Sequence, residues 1–412
     1  MNYYKCIVPL LISLLFYGCF KTADEQQKSD ENLKMKAKEL AINFMIIDTH
    51  IDLPYRLEEK WEDVFEKTEE GHFDYPRAIQ GGLAAAFMSI YIPAKYEETG
   101  GGKEMADMLI KLIEGIANDS PDKFAMAYSV ADVTTNFKKG LISFPMGMEN
   151  GTGIEGDVKN LQYFYDRGIR YITLCHSKNN RICDSSYDDE PKWNGLSPFG
   201  IEVVKEMNRL GIMVDVSHIT DSSFYDVIYN SLAPVIASHS SCRFFTPGWQ
   251  RNMPDEMIKT LAENNGVIMI NFGSSLINGK VREINSKTWD EIDHWLVEHN
   301  LSFSDSEAKE YIDKYFAEHP SPKTYVSEVA DHIDHVVKLA GIDNVGFGSD
   351  FDGVRNVPEG LSDVSMYPNL IYELLKREYT EEDIQKICSG NFLRVWKDVE
   401  ETAKHLQLVE VE

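Results

Sequence analysis

The feature that most constrains the fold is a regular alternation of short apolar runs with amphipathic stretches. The eight apolar runs lie at residues 44–52, 84–92, 141–149, 168–176, 211–218, 234–240, 266–273 and 344–353. Helical candidates between them are 103–117, 157–167, 198–210, 221–230, 255–263 and 326–339. Strands that alternate with helices favour a parallel sheet, and eight such units favour a closed barrel. The sequence therefore predicts an α/β fold, a (β/α)8 TIM-type barrel, over residues 41–400.

Size and charge narrow the possible partners. The chain has 412 residues, of which 43% are hydrophobic, enough for one barrel or two smaller domains. Its formal net charge is −26, with acidic residues spread along the whole length, so it lacks the basic surface of a nucleic-acid-binding protein. We expect a neutral or cationic small-molecule substrate.

The first twenty residues have the composition of an export signal. Lys5 precedes an apolar run at 7–17, which is too short to span a bilayer, and Gly18 and Cys19 follow it. A small residue before a cysteine resembles the bacterial lipobox, so residues 1–19 are predicted to be a lipoprotein-type signal, with Cys19 as the lipid anchor in the membrane of a bacterial cell envelope. A plain secretory signal and a buried apolar cysteine are the alternatives. The polar segment 20–40 is predicted to be a flexible tether.

Four cysteines lie beyond the signal, and sequence leaves their state open. An exported protein can form disulfides, and Cys175 and Cys183 are the nearest pair along the chain, but Cys175, Cys183, Cys242 and Cys388 are equally compatible with buried free thiols.

The segments around the last strand are predicted to be helical. Residues 286–322 are charged and rich in Trp, His and Glu, and we interpret them as a helical insertion after the seventh strand that rims the site. Residues 366–376 and 381–389 are predicted to be closing helices, with Gly390 as a stop signal.

Metal-ligating residue types stand at the carboxyl ends of the predicted strands. In a parallel barrel these ends share one face, where barrel enzymes place their active sites, so residues far apart in sequence would meet in one cup. The residues are His50, Asp52, Glu149, His176, His218, His239 and Asp350.

The spacing within this set suggests individual roles. His50 and Asp52 are two residues apart, so both side chains point to the same side of a strand and could chelate one ion. Glu149 has two oxygens, enough to bridge two cations. His218 and His239 are candidate zinc ligands. Each residue taken alone would more often be a strand cap, a loop glutamate or a core histidine.

The remaining candidates concern proton transfer and substrate. His176 is a candidate for polarising a scissile carbonyl, with a structural role as its alternative. Asp350 occupies the position of a carboxylate that manages a water proton, and its neighbour Asp352 should face elsewhere. His332 and His335 are one helical turn apart on a helix with a solvated outer face, and we expect neither to bind metal. The other histidines are interpreted as surface residues: His72, His294, His299, His319 and His405.

Over residues 46–396 the chain resembles the membrane (renal-type) dipeptidase family, a branch of the amidohydrolase-like barrels. The matching stretches are IDTHIDLP, GGLAAAFMSIY, RYITLCH, MNRLGIMVDVSH, IASHSS, RNMPD and GFGSDFDG. The resemblance implies two zinc ions, one held by His50 and Asp52, the other by His218 and His239, with Glu149 bridging them. It also suggests a homodimer.

The same resemblance implies how substrate is held. Arg251 of the RNMPD stretch would grip the terminal carboxylate of a dipeptide, a bidentate task that suits a planar guanidinium. His176 would contact substrate, and Asp350 would be the catalytic acid and base. The loop 177–193 departs from the animal members of the family.

The expected function is zinc-dependent hydrolysis of dipeptides. One alternative is another amidohydrolase-like activity, such as that of a deaminase, lactonase or phosphotriesterase, since fold alone does not fix function. Against it, the first strand carries His-x-Asp where many of those relatives carry His-x-His. The other alternative is a lipid-tethered metal-binding protein without catalysis, which predicts zinc binding without turnover.

Overall fold

A computed structural model describes residues 23–302 and 305–409, and ten strands, all in parallel pairings, run through this part of the chain. The strands are β1 (Ile46–Ile51), β2 (Leu83–Tyr91), β3 (Phe124–Met126), β4 (Ile142–Phe144), β5 (Met146–Glu149), β6 (Ile169–Thr173), β7 (Met213–Asp215), β8 (Ile236–Ser240), β9 (Val267–Ile270) and β10 (Val345–Phe347). Eight of them close into a barrel, because β1 pairs with β10 on one side and with β2 on the other. The predicted (β/α)8 barrel is confirmed.

Helices surround this barrel. They are α1 (Ala23–Asn43), α2 (Leu53–Glu59), α3 (Tyr75–Gly81), α4 (Tyr96–Thr99), α5 (Gly102–Asp119), α6 (Val130–Lys138), α7 (Lys159–Asp166), α8 (Pro198–Leu210), α9 (Asp221–Asn230), α10 (Asp255–Glu263), α11 (Ser274–Ile277), α12 (Gly279–His299), α13 (Ser306–Glu318), α14 (Val326–Ala340), α15 (Tyr367–Lys376), α16 (Glu381–Gln385) and α17 (Asn391–Val409). Short 3-10 turns occupy Gly151–Ile154, Arg243–Phe245, Ile342–Asn344 and Val364–Met366, and a π-helical turn occupies Lys386–Gly390.

The helices α8, α9 and α10 begin and end at the predicted residues, and local signals explain why. Ser197 caps α8 by accepting a 2.9 Å hydrogen bond from the Gly200 N–H, and Pro198 fits the first turn, which needs no N–H donor. Gly211 ends the helix in the left-handed region at a φ of 85°, where a side chain would be strained. These boundaries follow from chemistry that is visible in sequence.

The amino-terminal end of the barrel is closed by an apolar cluster. Ile47, Phe87, Tyr171 and Met269 point inward and pack with Trp396 of α17, all fully or almost fully buried. Because buried parallel strands need apolar residues on both faces, the strands appear in sequence as continuous apolar runs.

The predicted strand 141–149 is two strands, and this corrects its boundaries. Pro145 has no N–H to donate to the sheet, and it separates β4 from β5. Both segments still pair with β2, through Ala85 with Ser143 and Met88 with Met146. β3, which was not predicted, adds three residues beside β4.

The prediction that Gly390 ends the closing helix is wrong. The chain continues through the π-helical turn directly into α17, which runs to Val409 and therefore past the predicted domain end at residue 400. Glycine costs a helix interior only about 1 kcal/mol, and burial of Phe392, Val395 and Trp396 against the barrel outweighs that cost.

The prediction of a flexible tether over residues 20–40 is wrong for the described part, which is the helix α1. Ala37, Leu40 and Ala41 fall on one helix face and are buried against α15, and the Tyr372 hydroxyl donates to Asp30. Exposed polar residues such as Lys28, Glu31 and Lys38 lie on the outer face of this helix. The predicted signal at residues 1–19, with Cys19, lies outside the described residues.

The predicted helical insertion after the seventh barrel strand is present as α12 and α13, and α12 begins at Gly279, earlier than expected. Lys309 of α13 forms a 3.1 Å ion pair with Glu59 at the end of α2, which places α13 at the rim of the barrel mouth. In the described part of the chain, Cys175, Cys183, Cys242 and Cys388 are buried free thiols, and no helix is long and apolar enough to cross a membrane.

Candidate metal centre

The seven residues predicted at the strand ends lie together in one cup at the carboxyl end of the barrel. Their ligand atoms form three overlapping groups, each within 4.8 Å: His50 with Glu149 and His239, Glu149 with His176 and His218, and His50 with Asp52 and Asp350. The strand ends bring these residues together across 300 positions of sequence, as expected for a parallel barrel.

Glu149 occupies the centre of the cup. Its Oε1 lies 3.1 Å from His218 Nε2, 3.2 Å from His239 Nε2 and 3.7 Å from His176 Nε2. Its Oε2 lies 3.6 Å from His50 Nε2 and accepts a 3.4 Å hydrogen bond from the Ser89 hydroxyl. The two carboxylate oxygens therefore face two different sets of imidazoles.

His50 is oriented by a tyrosine that sequence reasoning missed. The Tyr171 hydroxyl donates to the Thr49 carbonyl at 3.1 Å and lies 2.7 Å from His50 Nδ1, so Nδ1 carries the proton. This leaves the buried His50 Nε2, which has no hydrogen-bond partner, directed at Glu149 and Asp52. Gly147 of β5 makes room for the tyrosine, because a Cβ at that position would lie 2.0 Å from its ring.

His239 is oriented by a buried carboxylate. Asp215 accepts a 2.6 Å hydrogen bond from the Ser238 hydroxyl, which in turn lies 2.7 Å from His239 Nδ1. Because the Ser238 hydroxyl donates its proton to Asp215, its oxygen accepts a hydrogen bond from His239 Nδ1–H. The other ring nitrogen of His239, Nε2, faces the cup. This is the relay through which outer groups fix the tautomer of metal-binding histidines.

His218 and Arg251 lie side by side. His218 has a φ of 71°, a strained conformation for a residue with a side chain, and its Nε2 is 2.8 Å from His239 Nε2. The Arg251 guanidinium donates to His218 Nε2 at 3.0 Å, to Ser240 Oγ at 2.9 Å and to the His239 carbonyl at 2.8 Å. The arginine is almost fully buried and presents its charge at the edge of the cup.

Asp350 and Asp352 have different surroundings. Asp350 shares a ligand group with His50 and Asp52, and Asn271 donates a 2.6 Å hydrogen bond to its Oδ2. Asp352 pairs with Arg56 Nε at 3.2 Å, and its backbone N–H donates to His72 Nδ1 at 2.8 Å. Both aspartates border the cup, and only Asp350 joins the cluster of ligand atoms. His72, interpreted as a surface residue, instead holds Asp352.

His332 also departs from its expected place on a solvated helix face. It is fully buried, its Nδ1 accepts a 3.0 Å hydrogen bond from the Cys242 N–H, and its Nε2 donates to the Ile277 carbonyl at 3.0 Å. Both ring nitrogens are used within the core. Its neighbour His335 pairs with Asp255 at 2.8 Å.

His176 lies among rings at the other side of the cup. Its ring centroid is 4.8 Å from that of Tyr91 and 4.3 Å from that of His218. Tyr187, from the divergent loop 177–193, stacks on His218 at 5.7 Å. A role for these tyrosines could not be predicted from the sequence, because their position depends on how the loops fold back over the strand ends.

Burial and neighbouring charges shift the pKa values in the cup. Burial lowers the pKa of His218 and His239 well below the usual value, with Arg251 adding to the effect at His218 and His50 at His239, and this favours the neutral imidazole that binds metal. Burial alone would raise the pKa of Glu149, but His50 and His176 hold it well below the usual value. Glu149 is therefore an anion.

Asp350 behaves in the opposite way. Burial, followed by repulsion from Asp52, raises the pKa of the Asp350 carboxyl well above its usual value. A carboxyl group with a raised pKa binds a proton more readily, which suits a group that takes and returns a proton.

The donor set fits divalent metal ions. Imidazole nitrogens and carboxylate oxygens are the ligands that zinc accepts, and the outward ring nitrogens of His50 and His239 are already engaged by Tyr171 and Ser238. The unpartnered Nε2 of His50 is fully buried, an arrangement that is costly unless a ligand satisfies it.

The cup opens into a cavity of about 480 Å³. Its walls include Tyr55, Glu59, Tyr187, Arg251 and Leu276 above the candidate metal ligands. This volume lies within the range of about 300–1,000 Å³ that is typical of small-molecule sites.

Comparison with known proteins settles the family. The sequence profile of "Membrane dipeptidase (Peptidase family M19)" matches residues 34–410. This chain belongs to the membrane dipeptidase family. Membership identifies it as a metal-dependent hydrolase of dipeptides, as expected from the sequence, rather than one of the other amidohydrolase-like enzymes.

Individual relatives agree with this assignment. The dipeptidase tcpJ of Claviceps purpurea (strain 20.1) is 34% identical over 351 residues, which are 83% of this chain and 73% of that protein. The dipeptidase verJ of Clonostachys rogersoniana is 33% identical over 396 residues, 92% of this chain and 90% of that protein.

Solved structures share the fold. The probable dipeptidase PvdM from Pseudomonas aeruginosa superimposes with a TM-score of 0.79 at 27% identity, covering 90% of this chain and all of that one (100%). A metallopeptidase from Rhodobacter sphaeroides, solved with a phosphinate mimic of the dipeptide L-Ala-D-Ala, has a TM-score of 0.71 at 24% identity, covering 86% of this chain and 99% of that one. The latter likeness concerns the fold alone.

Proposed function

We propose that this chain is a dipeptidase that uses two zinc ions and requires a free carboxylate on its substrate. The observation that carries the proposal is the position of Glu149, whose Oε1 faces His218 and His239 while its Oε2 faces His50. A carboxylate placed between two sets of ligands is the arrangement expected of a bridge between two cations.

The residues that would hold the ions are those of the cup. His50 and Asp52 would bind one zinc ion, His218 and His239 the other, and Glu149 both. Bound zinc would supply a lowered pKa for the attacking water and polarisation of the scissile carbonyl.

The remaining residues would position the substrate and move protons. Arg251 would bind the terminal carboxylate, and His176 would donate an N–H hydrogen bond to the carbonyl oxygen as its charge develops. Asp350 would accept the proton of the attacking water and deliver it to the leaving amine, with Asn271 holding its carboxylate in place.

The metal requirement is tested on the purified chain. We expect about two zinc ions per chain by elemental analysis and loss of dipeptide hydrolysis on chelation, with recovery on adding zinc. A single bound ion with full activity would contradict the bridging role of Glu149.

The role of Arg251 is tested with Arg251→Lys, which keeps the charge and loses the planar fork. We expect kcat/KM for dipeptides to fall by at least about 10-fold, because a charge-assisted bidentate contact contributes roughly 1.5–3 kcal/mol. Amidated dipeptides should be poor substrates for both proteins. Arg181→Ala, which removes an exposed arginine paired with Glu97, is the control. Equal losses on free and amidated dipeptides would refute the assignment.

We also propose that Cys19 carries a lipid anchor on the bacterial cell envelope and that the protein is a homodimer. The anchor is supported by the apolar run that precedes Gly18 and Cys19, and the dimer by the family resemblance. Cys19→Ala should move the protein from the membrane fraction to the soluble fraction, and light scattering should give twice the chain mass.

A further inference from the structure

A second cavity of about 370 Å³ adjoins the catalytic cup, between the loops that follow β9 and β10. We call it the aromatic pocket; its walls include Ser275, Leu276, Trp289, Phe316, Val354 and Arg355. Leu276, Gly353 and Val354 border both the pocket and the cup. A group bound in the cup therefore lies next to the pocket.

The outer wall of the aromatic pocket comes from the helical insertion. Trp289 of α12 and Phe316 of α13 meet edge to face with ring centroids 5.2 Å apart. The Arg355 guanidinium lies over the Phe316 ring at 4.7 Å and pairs with Asp313 at 3.0 Å. Aromatic rings in this arrangement offer a large contact area to another ring.

The polar groups around the pocket are already engaged with one another. The Asn285 amide donates to Ser275 Oγ at 2.8 Å and accepts from Ser321 Oγ at 2.6 Å, and the Asn356 amide donates to the same Ser321 oxygen at 3.0 Å. Because these groups have partners within the protein, a ligand does not need to be strongly polar to enter. The chemistry of the pocket favours an aromatic group.

The order of strands indicates which part of a dipeptide faces the pocket. Arg251, proposed to hold the carboxylate, follows β8, and Asp350, proposed to serve the leaving amine, follows β10. β9 lies between these two strands and is followed by Leu276. The carboxylate and the leaving amine belong to the same residue, the second of the dipeptide, so its Cα would lie beside Leu276.

We infer that the aromatic pocket binds the side chain of the second residue of the dipeptide and selects substrates with a bulky aromatic group there. This inference rests on the proposed function of the cup. The insertion thus supplies specificity, whereas the strand ends supply the chemistry.

The test compares three substrates, Ala-Phe, Phe-Ala and Ala-Ala, on wild type, Trp289→Ala and Ser275→Phe. Trp289→Ala removes the aromatic wall, and Ser275→Phe fills the pocket. We expect each change to lower kcat/KM for Ala-Phe by about 10-fold, because ring contacts and pocket volume discriminate on this scale. The values for Ala-Ala and Phe-Ala should stay within about twofold, with zinc content unchanged.

Trp295→Ala is the matched control, since Trp295 lies on the same helix and stacks on Tyr311 at 3.7 Å, among the residues that join α12 to α13 outside the pocket. It should leave the ratio of Ala-Phe to Ala-Ala turnover unchanged. Equal losses on all three substrates, a selective loss on Phe-Ala, or no change would each overturn the inference. Failure of the wild type to cleave any dipeptide would instead refute the function proposed for the cup.

Discussion

The two ends of the barrel use the same strands for opposite purposes. At the amino end, β1 and β2 contribute Ile47 and Phe87 to an apolar cluster that α17 closes with Trp396. At the carboxyl end, β1 and β8 contribute His50 and His239 to a cup of ligand atoms. The contrast teaches that stability and chemistry are divided along each strand rather than between strands.

The backbone shows the same division. Gly82, Gly168 and Gly211 take positive φ angles just before barrel strands, where glycine adopts them without strain. After the strands, His218 and Asp350 take positive φ angles of 71° and 63° despite their side chains. Such conformations cost roughly 1–3 kcal/mol and persist only where the surroundings enforce them. His218 and Asp350 are therefore strained positions at the carboxyl end, beside the cup.

The largest effect is expected from a change at the carboxyl end of the barrel, where the chemistry takes place. Glu149→Ala should remove the carboxylate proposed to bridge the two ions, lower the zinc content and lower dipeptide turnover by at least about 10³-fold, since metal catalysis is worth several kcal/mol. Elemental analysis and steady-state kinetics measure both quantities. The exposed Glu202→Ala is the control. If Glu149→Ala retained both ions, metal binding at the carboxyl end would not depend on this carboxylate.

The matching change at the amino end is Trp396→Ala. Loss of this fully buried ring should lower the free energy of unfolding by about 3–5 kcal/mol, by cavity formation. Denaturant unfolding measures it. Zinc content and kcat of the folded fraction should not change, and a loss of zinc would show that the two ends are coupled.

The loss of stability in acid is expected to depend on His332, which lies in the core and outside the cup. Burial lowers the pKa of His332 to about 4, so its neutral form is favoured in the folded state. Because folding lowers the pKa of His332, its contribution to the free energy of unfolding is complete above the unfolded pKa of about 6.5. This contribution is lost as pH falls toward 4.

Between pH 7 and pH 4.5, His332 should account for roughly 2–3 kcal/mol of lost unfolding free energy. His332→Asn should flatten this part of the curve for the zinc-free protein, measured by denaturant titration at both pH values. His405→Asn, at an exposed position, should not. An unchanged pH slope in His332→Asn would place the acid sensitivity elsewhere.

The smallest effect is expected at Tyr171, which contacts both the apolar cluster and the cup. Tyr171 packs its ring on Phe87 at 5.4 Å in the apolar cluster and turns its hydroxyl to His50. Tyr171→Phe should weaken zinc binding by about 10–100-fold, the usual consequence of removing an outer partner of a ligand. Competition with a chelator measures this, and an unchanged affinity would show that packing alone orients His50.

Sequence was sufficient for the features that depend on local pattern. The barrel strands follow from apolar runs, and α8, α9 and α10 follow from caps and periodicity at their own ends. The convergence of His50, Glu149 and His239 follows from strand order, because parallel strands end on one face.

Features set by contacts between distant segments could not be predicted. The polar composition of α1 predicts a tether because only three of its described side chains, Ala37, Leu40 and Ala41, are buried, and the helix they pack against is α15. The continuation of α17 past Gly390 depends on the barrel beneath it. Tyr171 and Tyr187 gave no signal, since a tyrosine within a strand or a loop is ordinary until its neighbour is known.

The close approach of Tyr171 to Gly147 also affects the orientation of His50. A single methyl group added to β5 would collide with the phenol ring and push it away from the imidazole that it steadies on β1. Position 147 thus affects the orientation of a proposed metal ligand that it does not contact, and what matters there is the absence of a side chain.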